Sequence, residues 1–131
     1  MKKYIIITVS FFLFLFMGVI VFNIFYPRVD IYDTKASLTY VYNDKSIKTQ
    51  LTDEESLLLK EIFNNKKLRT DNPSCGFTEN ISISFNDLVF CIACDDCPIV
   101  KLGKKYFKIS KSDRETVEQI FKKYGGSFPC V

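Results

Sequence analysis

Histidine and tryptophan are both absent from this chain of 131 residues, and the lack of histidine narrows the chemistry open to it. Histidine is the usual general base at neutral pH, the partner of nucleophilic serine and cysteine, and the commonest metal ligand. The chain also has no glycine-rich phosphate loop, paired-carboxylate signature or cofactor fingerprint. We therefore expect that the protein is not an enzyme and that it uses no cofactor.

Most of the chain has no net positive charge. All 15 acidic residues lie beyond residue 29, whereas three of the 18 basic residues, Lys2, Lys3 and Arg28, lie before it. The region after Arg28 is therefore formally neutral. Nucleic-acid binding depends on neutralising phosphates with lysine and arginine, so we expect no nucleic-acid partner.

One apolar run without any charge extends from Tyr4 to Tyr26. Roughly twenty helical residues cross a hydrocarbon core about 30 Å thick. The run is longer than the apolar region of a signal peptide, roughly 7–15 residues, and no small-residue cleavage pattern follows it. Tyrosines suit the two membrane interfaces, and Pro27 suits the end of a helix. We predict an uncleaved single-pass anchor over residues 4–26, with cleavage to a secreted form as the alternative.

The flanking charges predict the orientation of this anchor in the cell membrane. Lys2, Lys3 and the α-amino group precede the run, and only Arg28 and Lys35 follow it closely. This small bias favours a cytoplasmic N-terminus and an extracytoplasmic C-terminal domain. The predicted organisation is a cytoplasmic segment, a span, a linker and one exported domain: residues 1–3, 4–26, 27–35 and 36–131.

The first part of this domain has the pattern of a hairpin followed by a helix. Apolar and polar residues alternate through Ala36–Leu51 around the turn residues Asn43-Asp44. Thr52 and Glu55 have the spacing of a capping box, which predicts the start of a helix. Its apolar stripe is formed by Leu58, Leu59, Ile62 and Phe63.

The second part adds strands and another helix. The predicted strands are Ile81–Phe85, Leu88–Cys94, Ile99–Leu102 and Lys105–Ile109. Leu88–Cys94 is almost wholly apolar, so we expect it to be buried on both faces. Ser112–Glu115 has a second capping-box pattern, and Gly125-Gly126 suits the end of that helix. The fold class is therefore α+β: a small antiparallel sheet with two helices on one face.

Five cysteines fall in the predicted exported domain: Cys75, Cys91, Cys94, Cys97 and Cys130. Disulfides are common in small exported domains, where each contributes roughly 2–4 kcal/mol. Five cysteines allow at most two disulfides and leave one sulfur over, and the spacing does not settle the pairing. We predict a disulfide-stapled domain without a metal, whose C-terminal tail packs back onto the sheet.

Two other chemistries compete for Cys91, Cys94 and Cys97. Their C-x₂-C spacing suits a zinc site or a thiol-redox pair, although Asp95 and Asp96 disfavour a thiolate. An iron–sulfur cluster fits poorly, because Lys101 stands where the fourth cysteine of the bacterial ferredoxin pattern belongs. A metal or redox site at these three cysteines therefore stays as the alternative.

Lysines are concentrated around the last predicted hairpin, at Lys101, Lys104, Lys105 and Lys108. They could contact an anionic lipid, a cell-wall polymer or an acidic partner protein. The pattern favours the other interpretation, in which these lysines protect an edge hairpin against aggregation.

The segments Cys75–Asn80, Phe90–Pro98 and Tyr124–Val131 together resemble small uncharacterised envelope proteins of Gram-positive bacteria. The resemblance implies an envelope-facing setting and assigns no functional residue. We expect a membrane-anchored binding domain, such as a sensor, an inhibitor or an immunity-type module, with an envelope protein or cell-wall partner. The alternative is a thiol-redox or metal-handling envelope protein.

Overall fold

The apolar run forms one continuous helix, α1 (Lys2–Phe25), in a computed structural model that describes residues 1–130. None of its residues is buried against the rest of the chain. At 1.5 Å per residue its 24 residues extend about 36 Å. By length and composition, this one helix can cross a membrane. Val131, the last residue of the predicted domain, lies outside the described residues.

A six-stranded sheet forms the centre of the domain, and every neighbouring pair in it is antiparallel. Its strands are β1 (Ser37–Tyr42), β2 (Lys45–Gln50), β3 (Ile81–Phe85), β4 (Leu88–Ile92), β5 (Ile99–Leu102) and β6 (Lys105–Lys108). The spatial order is β2-β1-β3-β4-β5-β6. Asn43, Asn86 and Gly103 open the three tight turns with φ of 52°, 51° and 60°. Asparagine and glycine tolerate this left-handed conformation, which is why these turns were readable from the sequence.

Two helices, α2 (Asp53–Phe63) and α3 (Lys111–Lys123), pack on one face of the sheet. Phe63 of α2 stacks on Phe90 of β4 with ring centroids 4.9 Å apart, and Phe121 of α3 meets Tyr40 of β1 at 6.2 Å. Strand register shows that Tyr40 and Phe90 share a face, since Tyr40 lies opposite Ile81 and Phe90 opposite Ile83. The predicted α+β arrangement is confirmed.

The N-terminus of α2 is the predicted capping box. The Thr52 hydroxyl accepts a hydrogen bond from the Glu55 backbone N–H at 3.2 Å, and a Glu55 carboxylate oxygen accepts one from the Thr52 N–H at 3.1 Å. Both bonds satisfy backbone donors that the first helical turn leaves unpaired.

The start predicted for α3 is wrong by two residues. Ser110, not Ser112, is the N-cap, and its hydroxyl accepts a hydrogen bond from the Asp113 N–H at 3.0 Å. Ser110 is the residue with extended backbone, and Ser112 already lies in the first turn. The chain leaves β6 close to this point, so the earlier serine reaches the free N–H groups.

The strand predicted over Leu88–Cys94 is shorter than expected. β4 ends at Ile92, and Leu88 and Val89 at its start are only half-buried. Phe90, Cys91 and Ile92 are buried. Burial on both faces therefore holds only for the second half of the strand, where another chain segment covers the sheet.

A short ladder joins the end of α1 to the domain. The Val29 N–H donates to the Lys66 carbonyl and the Leu68 N–H to the Pro27 carbonyl, each at 2.9 Å. Arg69 then pairs with Tyr106 of β6 through two further backbone bonds of 2.7 and 2.9 Å. The residues that follow α1 are thus hydrogen-bonded into the edge of the domain.

Candidate functional site: the cysteine end and the open face of the sheet

Four of the five cysteines form two disulfides, Cys75–Cys97 and Cys94–Cys130. Their Cα atoms lie 6.4 and 5.1 Å apart. Cys91 is free and buried. The expectation of a disulfide-stapled domain with a tail that packs back is confirmed, and the structure supplies the pairing that the sequence left open.

Both disulfides lie at one end of the sheet, which we call the distal end. Strand direction places the β4–β5 connection, residues 93–98, opposite the turns that join β3 to β4 and β5 to β6. Residues 93–98 contain Cys94 and Cys97 and no regular structure. The other end, which carries those two turns and the ladder from α1, is the proximal end.

Arg114 of α3 is hydrogen-bonded to the β4–β5 connection at the distal end. It is only 3% exposed, and its Nη2 atom donates to the carbonyls of Ala93 and Asp95, each at 2.7 Å. Its Nε donates to Glu118 at 3.1 Å, and the guanidinium lies 5.0 Å from the centre of the Phe128 ring. A buried guanidinium that donates to two loop carbonyls fixes the loop between the disulfides.

Sequence reasoning missed Arg114, although a signal was present. It precedes Val117 by three residues and Phe121 by seven, so it occupies the apolar stripe of α3. Charged residues are almost never fully buried unless they are paired. An arginine within an apolar stripe therefore indicates carbonyl or carboxylate partners inside the domain.

The sheet face opposite α2 and α3 carries a row of polar side chains from all six strands. Successive pairs in the register, from β2 to β6, are Lys48, Thr39, Ser82, Cys91, Lys101 and Tyr106. We call this surface the open face. One-sided burial is common in antiparallel sheets, whose second face can remain in contact with water.

Residues 77–79 cover part of the open face, and a groove of about 520 Å³ lies beside them. Phe77 packs on Tyr106 with ring centroids 5.5 Å apart, and Glu79 follows it over β3. The groove runs between this segment and strands β4 and β5, and Cys91 and Lys101 are among its lining residues. An antiparallel sheet with a groove and mixed polar lining can accept a segment of another molecule.

The free thiol in this groove is a poor nucleophile. Burial raises the pKa of Cys91, the nearby Glu79 carboxylate raises it further, and only Lys101 opposes the shift. Reactive thiols need a lowered pKa, because the thiolate is the attacking species. Cys91 therefore behaves as a small buried hydrophobe that remains protonated at neutral pH.

The three cysteines of the metal or redox alternative are not gathered into one site. Cys94 is bonded to Cys130 and Cys97 to Cys75, while Cys91 lies on the open face. Asp95 lies within 4.8 Å of the Cys75 and Cys97 sulfurs, and its carboxylate accepts the Cys97 N–H at 3.1 Å. That bond shapes the loop next to the disulfide.

The four lysines proposed as a contact surface fall on different sides of the hairpin. Lys101 and Lys108 belong to the open face, since Lys101 lies opposite Cys91 and Lys108 opposite Ile99. Lys104 is exposed in the β5–β6 turn. Lys105 points to the other side and lines a groove beside the end of α1. The sequence cluster is therefore divided between two surfaces.

Glu55 links α2 to the end of α3, on the face of the sheet opposite the open face. Its carboxylate accepts hydrogen bonds from the Lys123 ammonium and from the Tyr124 hydroxyl, the latter at 2.7 Å. Partial burial by itself would raise the pKa of Glu55. The bonds from Lys123, Tyr124 and the Thr52 backbone outweigh that effect and lower the pKa to about 2.

Comparisons with protein-family models, with curated proteins and with solved structures found no match to this chain. The resemblance to Gram-positive envelope proteins therefore stays a prediction. The arguments about function rest on the geometry of the two ends and of the open face.

Proposed function

We propose that the chain is a single-pass membrane protein whose extracytoplasmic domain binds a partner without catalysing a reaction. The observation that carries this proposal is the groove of about 520 Å³ on the open face of a domain fixed by two disulfides. Disulfides are typical of extracytoplasmic compartments, which agrees with export of the domain. The proposed role is that of a sensor, an inhibitor or an immunity-type module.

The partner is proposed to be an envelope protein or a cell-wall polymer that carries negative charge. Lys48, Lys101 and Lys108 belong to the open face, and two of them, Lys48 and Lys108, lie on its edge strands. Glu79 and Asp87 line the groove, so the positive charge of this face lies mainly at its rim. Complementary charge at the rim of such a surface steers encounter and restricts the choice of partner. The half-buried Tyr106 offers an amphipathic ring of the kind enriched in binding surfaces.

Site-specific photo-crosslinking in cells that express the full chain would test this proposal. A photoreactive phenylalanine analogue replaces Thr39 on the open face or, as the matched control, Leu57, which is 56% exposed on α2. We expect a discrete crosslinked product from position 39 and none from position 57. Products from both positions, or from neither, would contradict partner binding through the open face.

The alternative function is thiol redox or metal handling through Cys91, Cys94 and Cys97. It has less support, because Cys94 and Cys97 belong to different disulfides and Cys91 has a raised pKa. Substitution of Cys94 by serine separates the two proposals. A binding module loses stability and binding together, whereas a redox or metal protein stays folded and loses its activity.

A further inference from the structure

A second groove, of about 320 Å³, lies where the membrane helix meets the domain. We call it the juxtamembrane groove. The end of α1 contributes Phe25 and Tyr26 to its lining, and the domain contributes Lys67, Arg69 and Lys105. It thus combines an aromatic wall with three cationic side chains, two of which the sequence pattern did not connect to the lysine-rich hairpin.

The charge of this groove is only partly compensated within the protein. Asp71 is its one acidic lining residue, and the closest approach of its carboxylate to the Arg69 guanidinium is 4.0 Å. These two side chains are 78% and 50% exposed, so water and salt screen the pair. Three cations against one carboxylate leave the groove positively charged and suited to an anion.

The groove also lies at the level of a membrane surface. The length of α1, about 36 Å, exceeds the roughly 30 Å of a hydrocarbon core and falls short of the 40–45 Å that includes the headgroups. Phe25 and Tyr26 at its end therefore lie in or next to the headgroup layer when the helix spans a bilayer. Tyrosine is enriched at that depth.

The cations are held at this level by the protein itself. The Lys67 ammonium lies 3.7 Å from the centre of the Tyr26 ring, and residues 27–29 are hydrogen-bonded to residues 66–68. Arg69 is paired with Tyr106, next to Lys105 in β6. The three positive charges therefore stay beside the end of the helix, where lipid phosphates lie.

We propose that the juxtamembrane groove binds the phosphate headgroup of an anionic phospholipid from the bilayer that α1 crosses. The three cations contact the phosphate, and the wall formed by Phe25 and Tyr26 packs against the glycerol and upper acyl region. The proposal rests on α1 spanning a bilayer. It is independent of the orientation of the chain and of partner binding by the open face.

Native mass spectrometry of the full chain in detergent micelles would test this proposal, with phosphatidylglycerol and phosphatidylcholine as probes. We expect one bound phosphatidylglycerol with about tenfold higher affinity than phosphatidylcholine. The groove variant should lose that preference, whereas the control variant, which changes net charge equally, should keep it. The groove variant carries Lys67→Gln, Arg69→Gln and Lys105→Gln; the control variant carries Lys48→Gln, Lys111→Gln and Lys122→Gln.

Further arms of the experiment separate a specific site from general attraction. A variant with Lys67→Arg and Lys105→Arg should retain the preference, because the charge is kept. Each single Gln substitution in the groove should weaken binding, which keeps the test valid if the triple variant is unstable. Equal loss in the groove and control variants would overturn the proposal, as would equal binding of the two lipids. Displacement of phosphatidylglycerol by millimolar inorganic phosphate would instead define a soluble-anion site and also overturn it.

Discussion

The two ends of the sheet are held by different means. At the proximal end, a backbone ladder connects the end of α1 to the sheet edge through residues 27–29, residues 66–69 and β6. At the distal end the chain is irregular from residue 93 to 98, and two disulfides and a buried arginine take the place of a ladder. Covalent links thus occur where backbone pairing stops.

This difference bears on how each end is used. The distal loop and the C-terminal tail are joined by Cys94–Cys130, so their backbone is constrained even though they have no regular structure. At the proximal end, by contrast, Lys67, Arg69 and Lys105 line the juxtamembrane groove beside α1. The fixed distal end supports the partner binding that we propose for the open face, and the charged proximal end supports the lipid binding that we propose for the juxtamembrane groove. Four variants, each described below, test this account in order of decreasing effect.

Removal of the Cys94–Cys130 disulfide should have the largest effect on stability. In the chain-entropy description, closing a loop of 36 residues contributes about 3–4 kcal/mol. The double substitution Cys94→Ala and Cys130→Ala should lower the free energy of unfolding by that amount, measured by urea denaturation of the full chain in detergent. The control Cys91→Ala removes only a buried thiol and should cost about 1 kcal/mol. Equal losses would contradict the special role of the distal end.

Arg114→Met should have the next largest effect. It leaves the carbonyls of Ala93 and Asp95 without a donor, and Glu118 without its buried partner, at a cost of about 2–3 kcal/mol. Hydrogen exchange should accelerate in residues 93–98 and not in the proximal ladder. The matched substitution at the proximal end, Arg69→Met, removes a half-exposed side chain and should change stability by less than about 0.5 kcal/mol. Comparable destabilisation by both would remove the contrast between the ends.

Glu55→Gln should cost about 1–2 kcal/mol, because the capping box and the link to α3 are both weakened. The lowered pKa of Glu55 also predicts a pH dependence. Its contribution is complete above the unfolded value of 4.5 and is lost as the pH falls towards about 2. Between pH 5 and pH 2, the melting temperature of the wild type should therefore fall more steeply than that of Glu55→Gln. Parallel curves would rule out this role.

Among the four main variants, Lys67→Gln should have the smallest effect on folding. Its contact with the Tyr26 ring is at the surface, where a cation–π pair contributes about 0.5–1 kcal/mol. We expect a small change in the unfolding transition and unchanged hydrogen exchange at the distal end. A loss above about 2 kcal/mol would mean that the proximal end depends on this side chain more than on its backbone ladder.

Local signals in the sequence were enough to predict the six strands, the turns and the α2 cap, although β4 ends two residues earlier than predicted. Asn43 and Asn86 supply the left-handed conformation within the chain itself, and Thr52 and Glu55 satisfy each other's backbone groups. The same rules predicted Ser112 as the N-cap of α3, whereas Ser110 is the N-cap. The path of the chain between β6 and α3 places the Ser110 hydroxyl next to the free N–H of Asp113. Local rules are therefore reliable where both partners belong to one short segment.

Long-range features of the candidate site were not predictable in this way. The partner of Cys94 is 36 residues away, and its choice depends on which loops meet at the distal end. The lysine cluster was visible, but its division between the open face and the juxtamembrane groove follows from strand register. Arg114 was recognisable only as a charge within an apolar stripe, without its partners. Tertiary placement settled each of these features.

Intact-mass analysis of the full chain, isolated from the membranes of expressing cells and alkylated under denaturing conditions, tests the central claim most directly. The account predicts a chain that retains α1, with one alkylated cysteine before reduction and five after it, because only Cys91 is free. Three or more alkylated cysteines before reduction, or a mass that lacks α1, would contradict a membrane-anchored domain fixed by two disulfides.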